Sequence, residues 1–115
     1  MEIIVKQCSF RSDLAGITGD PNNPAHYIAG FKDDCMYLVA KDNTRIECID
    51  IYSEQFVDVI FLKSHYAKKI YGMPSYPYGM KIENDGIESN NSYHFCSNSE
   101  KLIDDWISIV NKVSQ

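Results

Sequence analysis

Three histidines and one histidine–cysteine pair are the first residues to test for chemistry. His26, His65 and His94 lie far apart in the sequence, and Cys96 follows His94 by two positions. Imidazole and thiolate groups bind Zn²⁺, and a thiolate beside an imidazole can act as a nucleophile. Residues two apart share one face of a strand, but no third metal ligand stands in register with this pair. We therefore favour a packed strand face, and we expect no metal, no cofactor and no catalytic residue.

Other catalytic signatures are missing from the sequence. It contains no GxGxxG, GxxxxGK[ST] or GxSxG motif. Nucleotide binding and serine-type acyl transfer therefore lack the loops that they require. The acidic pair Asp104 and Asp105 falls in a predicted helix, where a solvated surface is a simpler interpretation than acid–base catalysis. We expect that the protein is not an enzyme.

A first group of basic residues forms a candidate site for anionic ligands. Lys6, Arg11 and Lys32 flank the first long predicted loop. Each Lys or Arg near an anionic leaflet contributes about 1 kcal/mol of binding free energy, so these residues predict that the loop contacts phospholipid head groups. Leu14 and Ile17 in the same loop are candidates for insertion into the membrane interface. The alternative, that both fold back onto the sheet, stays open.

A second cationic group lies in a segment rich in tyrosine. Large amphipathic side chains are favoured where proteins contact proteins, so this segment is the alternative candidate site. Its candidate residues are Lys63, Lys68, Lys69, Tyr71 and Tyr76. Tyrosines in long loops also cover the sheet beneath them, and this second interpretation stays open.

Composition limits the class of protein. The 115 residues fit one domain, and a hydrophobic fraction of 44% with 23% charged residues is typical of a globular protein. The formal net charge of −5 argues against a nucleic-acid partner, because phosphate backbones repel an acidic molecule. No apolar run reaches the roughly 20 residues of a membrane span, and the first residues do not resemble a signal peptide.

The four cysteines are widely spaced and form no CxxC pair. They are Cys8, Cys35, Cys48 and Cys96. Free cysteine behaves as a small buried apolar residue, so we favour reduced thiols on core-facing strands over disulfides or a metal site. This pattern favours an intracellular protein.

Short strands must position most of these residues. Apolar runs bounded by turn residues predict strands at 2–8, 26–32, 35–41, 45–51, 56–62, 80–84 and 92–96. Asp33 and Asp34 separate two of these runs by the spacing of a β-hairpin. Glycine and proline predict exposed loops at 11–25 and 63–80, and in the second segment they argue against a helix or a central strand.

One helix follows the last strand. Apolar residues recur there with helical spacing at Leu102, Trp106, Ile109, Val110 and Val113. Ser97 and Glu100, three positions apart, predict the N-terminal cap of this helix. Glu100 also places negative charge at the positive end of the helix dipole.

The last strand and the helix resemble the end of a pleckstrin homology (PH) domain. The phrase YHFCSNSEKLIDDWISIVNKV has the family's aromatic strand, polar junction and helix with a central tryptophan, here Trp106. The run GFKDDCMYLVAKDNTRIECIDI is similar to the family's second to fourth strands. The resemblance implies a mainly β fold, a PH-like seven-stranded antiparallel β-sandwich or partly open barrel capped by one C-terminal α-helix. It also implies that residues 1–115 are a single domain of a larger protein.

The resemblance implies a non-enzymatic targeting or adaptor module in signalling. Such a module would be cytoplasmic and peripheral to the membrane, and would bind phosphoinositide or phosphatidic acid weakly through the first-loop rim. The alternative is a PH-like module that binds a protein and has no lipid role. Lipid-binding members carry a basic K-x(n)-R/K-x-R pattern across the first two strands, whereas this chain has only Lys6, Arg11 and Lys32 there, diluted by nearby aspartates.

Overall fold

Seven antiparallel strands form one sheet in the computed structural model, which describes residues 7–16, 24–40, 56–84 and 92–114. Their bounds are β1 Phe10–Gly16, β2 Ala25–Lys32, β3 Cys35–Ala40, β4 Phe56–Phe61, β5 His65–Met73, β6 Tyr76–Asn84 and β7 Ser92–Ser97. The strand order is β4-β3-β2-β1-β7-β6-β5, so β4 and β5 are the two edges. A 3-10 turn, Leu62–Ser64, links β4 to β5, and the helix α1 spans Glu100–Val113.

The hairpin between β2 and β3 confirms the sequence prediction. Asp33 and Asp34 form its two-residue turn, with φ values of 51° and 62°. Two consecutive left-handed residues match the right-handed twist of the flanking strands, and aspartate tolerates this conformation better than most residues. The predicted strand 56–62 also agrees with β4. The predicted strand 45–51 lies outside the described residues.

The first described strand corrects the predicted loop at 11–25. Residues 10–16 pair with β2 along their whole length, from Phe10 opposite Phe31 to Gly16 opposite Ala25. The glycine and proline residues that suggested a loop are concentrated from position 16 onward, so they do not oppose a strand before it. Most of the predicted strand 2–8 lies outside the described residues, as does the loop prediction for 17–23.

The segment 63–80 also differs from its prediction. It contains β5 and most of β6, and β6 lies between β5 and β7 as a central strand. Pro74 occupies the hairpin turn, and Pro77 lies beyond the β7 ladder, which begins at Tyr78. Proline is tolerated at both positions because Pro74 lies in the turn and the β5–β6 ladder has no pair between Gly72 and Pro77. A Cβ atom on Gly72 would collide with the Tyr76 carbonyl oxygen, so this glycine permits the close approach of the two strands.

The helix begins two residues later than predicted. Ser99, and not Ser97, is the N-cap, because its Oγ accepts a hydrogen bond from the Leu102 amide at 3.2 Å. Ser97 still belongs to β7, and its Oγ accepts from the Ser99 amide at 3.0 Å. Glu100 stands in the first turn, as the sequence predicted. The helix therefore starts directly after a short polar junction.

Trp106 anchors the helix in the core. Its side chain is 0% exposed, together with those of Ile103 and Val110. The indole Nε1 donates to Ser12 Oγ at 2.7 Å, and the Phe10 ring meets the indole edge-on at 5.0 Å. Both partners lie on β1, so one side chain joins the end of the chain to its first described strand. The other predicted helix residues are partly buried around this core: Leu102, Ile109 and Val113.

Candidate interaction surface

Two of the three cations predicted to bind lipid come together on the outer face of the sheet. Arg11 is exposed, and Lys32 Nζ donates to Gln7 Oε1 at 2.7 Å. Burial raises the pKa of the buried Cys8 thiol, and the positive charges of Lys32 and Arg11 oppose this rise. Arg11 lies opposite Gly30, which contacts Cys8, and Lys32 follows Gly30 by two positions on the same face of the sheet. Asp33, next to Lys32 in the turn, is exposed and adds a negative charge beside this cluster. Lys6 lies outside the described residues.

The place of this cluster corrects the predicted loop rim. Arg11 pairs with Gly30, at the end of the β1–β2 hairpin remote from residues 17–23. Leu14 is 2% exposed and belongs to the core cluster, so it does not form an exposed tip and cannot insert into a membrane. It points inward because Phe10, Ser12 and Leu14 alternate along the face that meets the helix. Ile17 lies outside the described residues.

The residues of the alternative site are divided between surfaces. Along β5, Lys68 points to one face, while Lys69 and Tyr71 point to the other. Tyr71 is 68% exposed. Tyr76 is half-buried against a small cluster formed by Ala15, Met73 and Cys96. Lys63 is exposed in the 3-10 turn. The structure therefore keeps Tyr71 as the most accessible of the predicted tyrosine contacts.

One carboxylate organises the outer face of β5 and β6. Glu83 Oε2 accepts from the Tyr66 hydroxyl at 2.6 Å, and its other oxygen lies 2.7 Å from Lys81 Nζ. Lys68 Nζ lies 3.7 Å from the same carboxylate. These contacts, led by Lys81, lower the pKa of Glu83 to about 2. The sequence prediction missed this network, because strand register and not linear spacing brings Tyr66 to Glu83.

The first half of the helix neutralises a further lysine of β5. Lys69 Nζ lies 2.7 Å from Glu100 Oε2 and 3.1 Å from Asp104 Oδ1. Hydrogen bonds to these carboxylates raise the pKa of Lys69. Asp105 similarly pairs with Lys101 at 2.8 Å. Asp104 and Asp105 thus form ion pairs at the solvent-facing side of the helix, and these pairs neutralise the neighbouring lysines.

The second half of the helix covers the backbone of β5. The Ala67 amide donates to Asn111 Oδ1 at 2.8 Å, and Asn111 Nδ2 donates to the Ala67 carbonyl oxygen at 3.1 Å. The side-chain amide of Asn111 therefore takes the place of a peptide group from an additional strand. The sequence prediction missed this contact, since a lone asparagine in a helix resembles any other polar position.

His26, His65 and the His94/Cys96 pair lie on three different strands, β2, β5 and β7. No group of three potential ligands capable of holding a metal ion occurs among the described residues. The Cys96 thiol is 0% exposed, burial raises its pKa, and it donates to the Ala15 carbonyl oxygen. His65 packs beside Tyr93, with ring centroids 6.4 Å apart. Cys96 and His65 are therefore part of the packing of the sheet.

Comparisons with known proteins give the fold. By sequence the chain matches no protein-family model and no curated protein. By structure it is similar to one chain in the crystal structure of human RhoA in complex with the DH/PH fragment of PDZRHOGEF, with a TM-score of 0.65 and 9% identity over 93% of this chain. It is also similar to the Slm1-PH domain in complex with inositol-4-phosphate, with a TM-score of 0.66 and 7% identity over 93% of this chain. The C-terminal PH domain of pleckstrin gives a TM-score of 0.62 and 14% identity over 92%.

These likenesses show that the chain has a PH-like fold. It spans 95% and 96% of the Slm1 and pleckstrin chains, but only 28% of the chain matched in the RhoA complex. The open seven-stranded sheet and the C-terminal helix confirm the fold implied by the sequence resemblance. None of the described helices is long and apolar enough to span a bilayer.

Proposed function

We propose that this chain is a non-catalytic PH-like recruitment module whose main ligand is a protein. The observation that carries the proposal is the exposure of Tyr71 at the sheet edge, beside a helix that already holds the nearest lysine in ion pairs. Tyrosine supplies a large amphipathic contact at low entropic cost, as is common in protein interfaces. The RhoA complex contains a PH-like fold in an assembly with a protein partner, and this agrees with the proposal.

The charge distribution supports a protein partner over a lipid. Glu100, Asp104 and Asp105 pair with lysines of the sheet and helix, and Glu83 holds two more. Each of these lysines would have to break its ion pair with a carboxylate before it could bind a phosphate group with its full positive charge. The whole chain is also acidic, with a formal charge of −5, and an anionic leaflet repels it.

Weak binding to anionic phospholipid is the second candidate function. It is favoured by the placement of Arg11 and Lys32 on one face of the sheet around Gly30, with Lys6 as a third proposed contact and Ile17 as a proposed insertion point. The Slm1-PH domain binds inositol-4-phosphate on a similar fold. This function would place the chain on the cytoplasmic surface of a membrane, where phosphoinositides and phosphatidic acid are the candidate ligands.

Two matched variants separate the candidates. Tyr71→Ser removes the exposed ring, whereas the double variant Arg11→Ala/Lys32→Ala removes the cationic cluster. Capture of partners from cells that express the protein should lose its specific partner with Tyr71→Ser and retain it with the double variant. Sedimentation with phosphatidylcholine vesicles, with and without phosphatidylinositol 4-phosphate, tests the lipid at low salt. Lipid-dependent sedimentation that the double variant abolishes, with no partner sensitive to Tyr71, would refute the proposal.

A further inference from the structure

The end of β4 carries the most exposed large apolar side chain in the part of the chain that the structure describes. Phe61 is 70% exposed, whereas its neighbour Ile60 is 1% exposed and faces the core. Side chains alternate along a strand, so Phe61 points out from the opposite face of the sheet. Strand register places Cys35 beside Phe61, and Lys32 beside Cys35, in one row across this face. A ring this exposed gains little from its own fold, and burial against another surface is favourable.

Charged side chains of both signs lie next to Phe61. Asp33 and Asp34 form the exposed turn between β2 and β3. The Leu62 amide donates to the Asp34 carbonyl oxygen at 3.1 Å, which holds this turn against the end of β4. Lys63 is exposed in the 3-10 turn, two residues after Phe61. One small surface therefore combines an apolar ring with two negative charges and a positive charge.

These charges have no partners inside the molecule. Within the described ranges, the carboxylates of Asp33 and Asp34 and the ammonium group of Lys63 make no hydrogen bond or ion pair. By contrast, Lys69 lies 2.7 Å from Glu100 Oε2. Unpaired surface charges can form ion pairs with another molecule without breaking an existing contact.

We propose that a second copy of this chain docks on the surface formed by Asp33, Asp34, Phe61 and Lys63, here named the Phe61 surface. A two-fold dimer uses the same patch on both copies, so the patch must be complementary to itself. The Phe61 surface meets this condition. Its ring packs on the ring of the other copy, and its acidic turn pairs with Lys63 of the other copy. A purely acidic or purely basic partner would match only one of the two signs.

The Phe61 surface is separate from the tyrosine of the proposed protein contact. Tyr71 lies six residues after His65, the first residue of β5, which is about 20 Å along the strand. The dimer therefore leaves Tyr71 accessible, and the inference goes beyond the proposed function without depending on it. Each dimer presents two Tyr71 side chains, which raises the apparent affinity for a partner that is itself bivalent.

Sedimentation equilibrium of the purified chain tests the proposal. One exposed ring and a few ion pairs predict a weak dimer, so the concentration series should reach about 1 mM. The dissociation constant should rise by about tenfold or more in Phe61→Ser, as for the central anchor of an interface. Tyr71→Ser is the matched control, since Tyr71 is 68% exposed, and it should dimerise like the wild type. A chain that stays monomeric, or a dimer that Phe61→Ser weakens no more than Tyr71→Ser, would overturn the inference.

Two charge variants test the pairing between copies. Asp33→Asn/Asp34→Asn removes the negative charges, and asparagine tolerates the left-handed turn. Lys63→Glu reverses the positive charge. Each variant alone should dimerise more weakly than the wild type. A mixture restores one contact between an acidic turn and Lys63, so native mass spectrometry should show more mixed dimer than random pairing gives. A mixed dimer at or below the random share would overturn the inference.

The variants should keep the fold, because every substituted side chain is exposed. Fluorescence of the buried Trp106 during urea denaturation checks this. If Phe61→Ser lowers the unfolding midpoint, the two charge variants decide the inference.

Discussion

Replacement of Asn111 by alanine tests how the helix is held against the sheet. The side-chain amide makes two hydrogen bonds with the Ala67 backbone, at 2.8 and 3.1 Å. Each is worth about 0.5–1.5 kcal/mol, so their loss costs about 2 kcal/mol. Alanine recovers roughly 0.5 kcal/mol through its higher helix propensity. The expected net loss of unfolding free energy is about 1.5 kcal/mol.

Urea denaturation followed by tryptophan fluorescence measures this loss. Trp106 is the only tryptophan and is fully buried on the same helix, so its emission reports the packing of α1. The midpoint should fall by about 1 M urea for a small domain. The melting temperature should fall by about 6 °C.

Ser108→Ala is the matched control for this substitution. Ser108 is exposed on the same helix, so alanine there gains helix propensity and leaves the Ala67 contact intact. It should leave stability unchanged or raise it by a few tenths of a kcal/mol. If Asn111→Ala is as stable as Ser108→Ala, the two hydrogen bonds between Asn111 and Ala67 do not stabilise the fold.

Three further predictions follow from single contacts. Ser12→Ala leaves the buried Trp106 Nε1 without its acceptor and should cost about 1–2 kcal/mol in urea denaturation; an unchanged midpoint would contradict this. The lowered pKa of Glu83 means that its contacts stabilise the fold above pH 4.5 and lose that effect as the pH falls toward about 2. Stability measured over this range should therefore fall less steeply for Glu83→Gln than for the wild type, and parallel profiles would count against the network. Gly72→Ala forces a Cβ atom onto the Tyr76 carbonyl and should destabilise by about 1–3 kcal/mol in the same assay, so wild-type stability would exclude the close approach.

Local patterns predicted the elements that local chemistry determines. The β2–β3 hairpin followed from two aspartates between apolar runs, because a two-residue turn restricts both the residue types and the spacing. The helix followed from its apolar period, although Ile103 was missed and the start was placed two residues early. Its N-cap was misplaced because three serines stand close together, and only the end of β7 decides which of them caps the helix.

Long-range partners explain the strands that were missed. In β1, Ser12 points toward the core. A polar residue at such a position makes the segment look unlike a buried strand, and its hydrogen-bond partner, the Trp106 indole, cannot be identified from the local sequence. β5 carries Lys69 on the helix side, and its charge is compensated by Glu100 and Asp104, which lie 31 and 35 positions away. Periodicity within a segment contains no information about such partners.

The candidate site was only partly predictable for the same reason. Tyr71 was predicted from the tyrosine-rich composition of its segment, and it is exposed. Its position at an edge of the sheet depends on the strand order and on the contact with Asn111, which the sequence does not show. Leu14 was a candidate for membrane insertion because an apolar residue near glycine and proline resembles a loop tip, and the structure agrees with the open alternative that it packs on the sheet. Its inward direction follows only from the pairing of β1 with β2.

The most direct test of the function is an NMR titration of the labelled chain with the partner captured from cells. We predict that the largest amide shifts fall on Lys69, Tyr71 and the first turn of α1, with little change at Arg11 and Lys32. Shifts centred on Arg11 and Lys32, with the β5 edge unaffected, would contradict it.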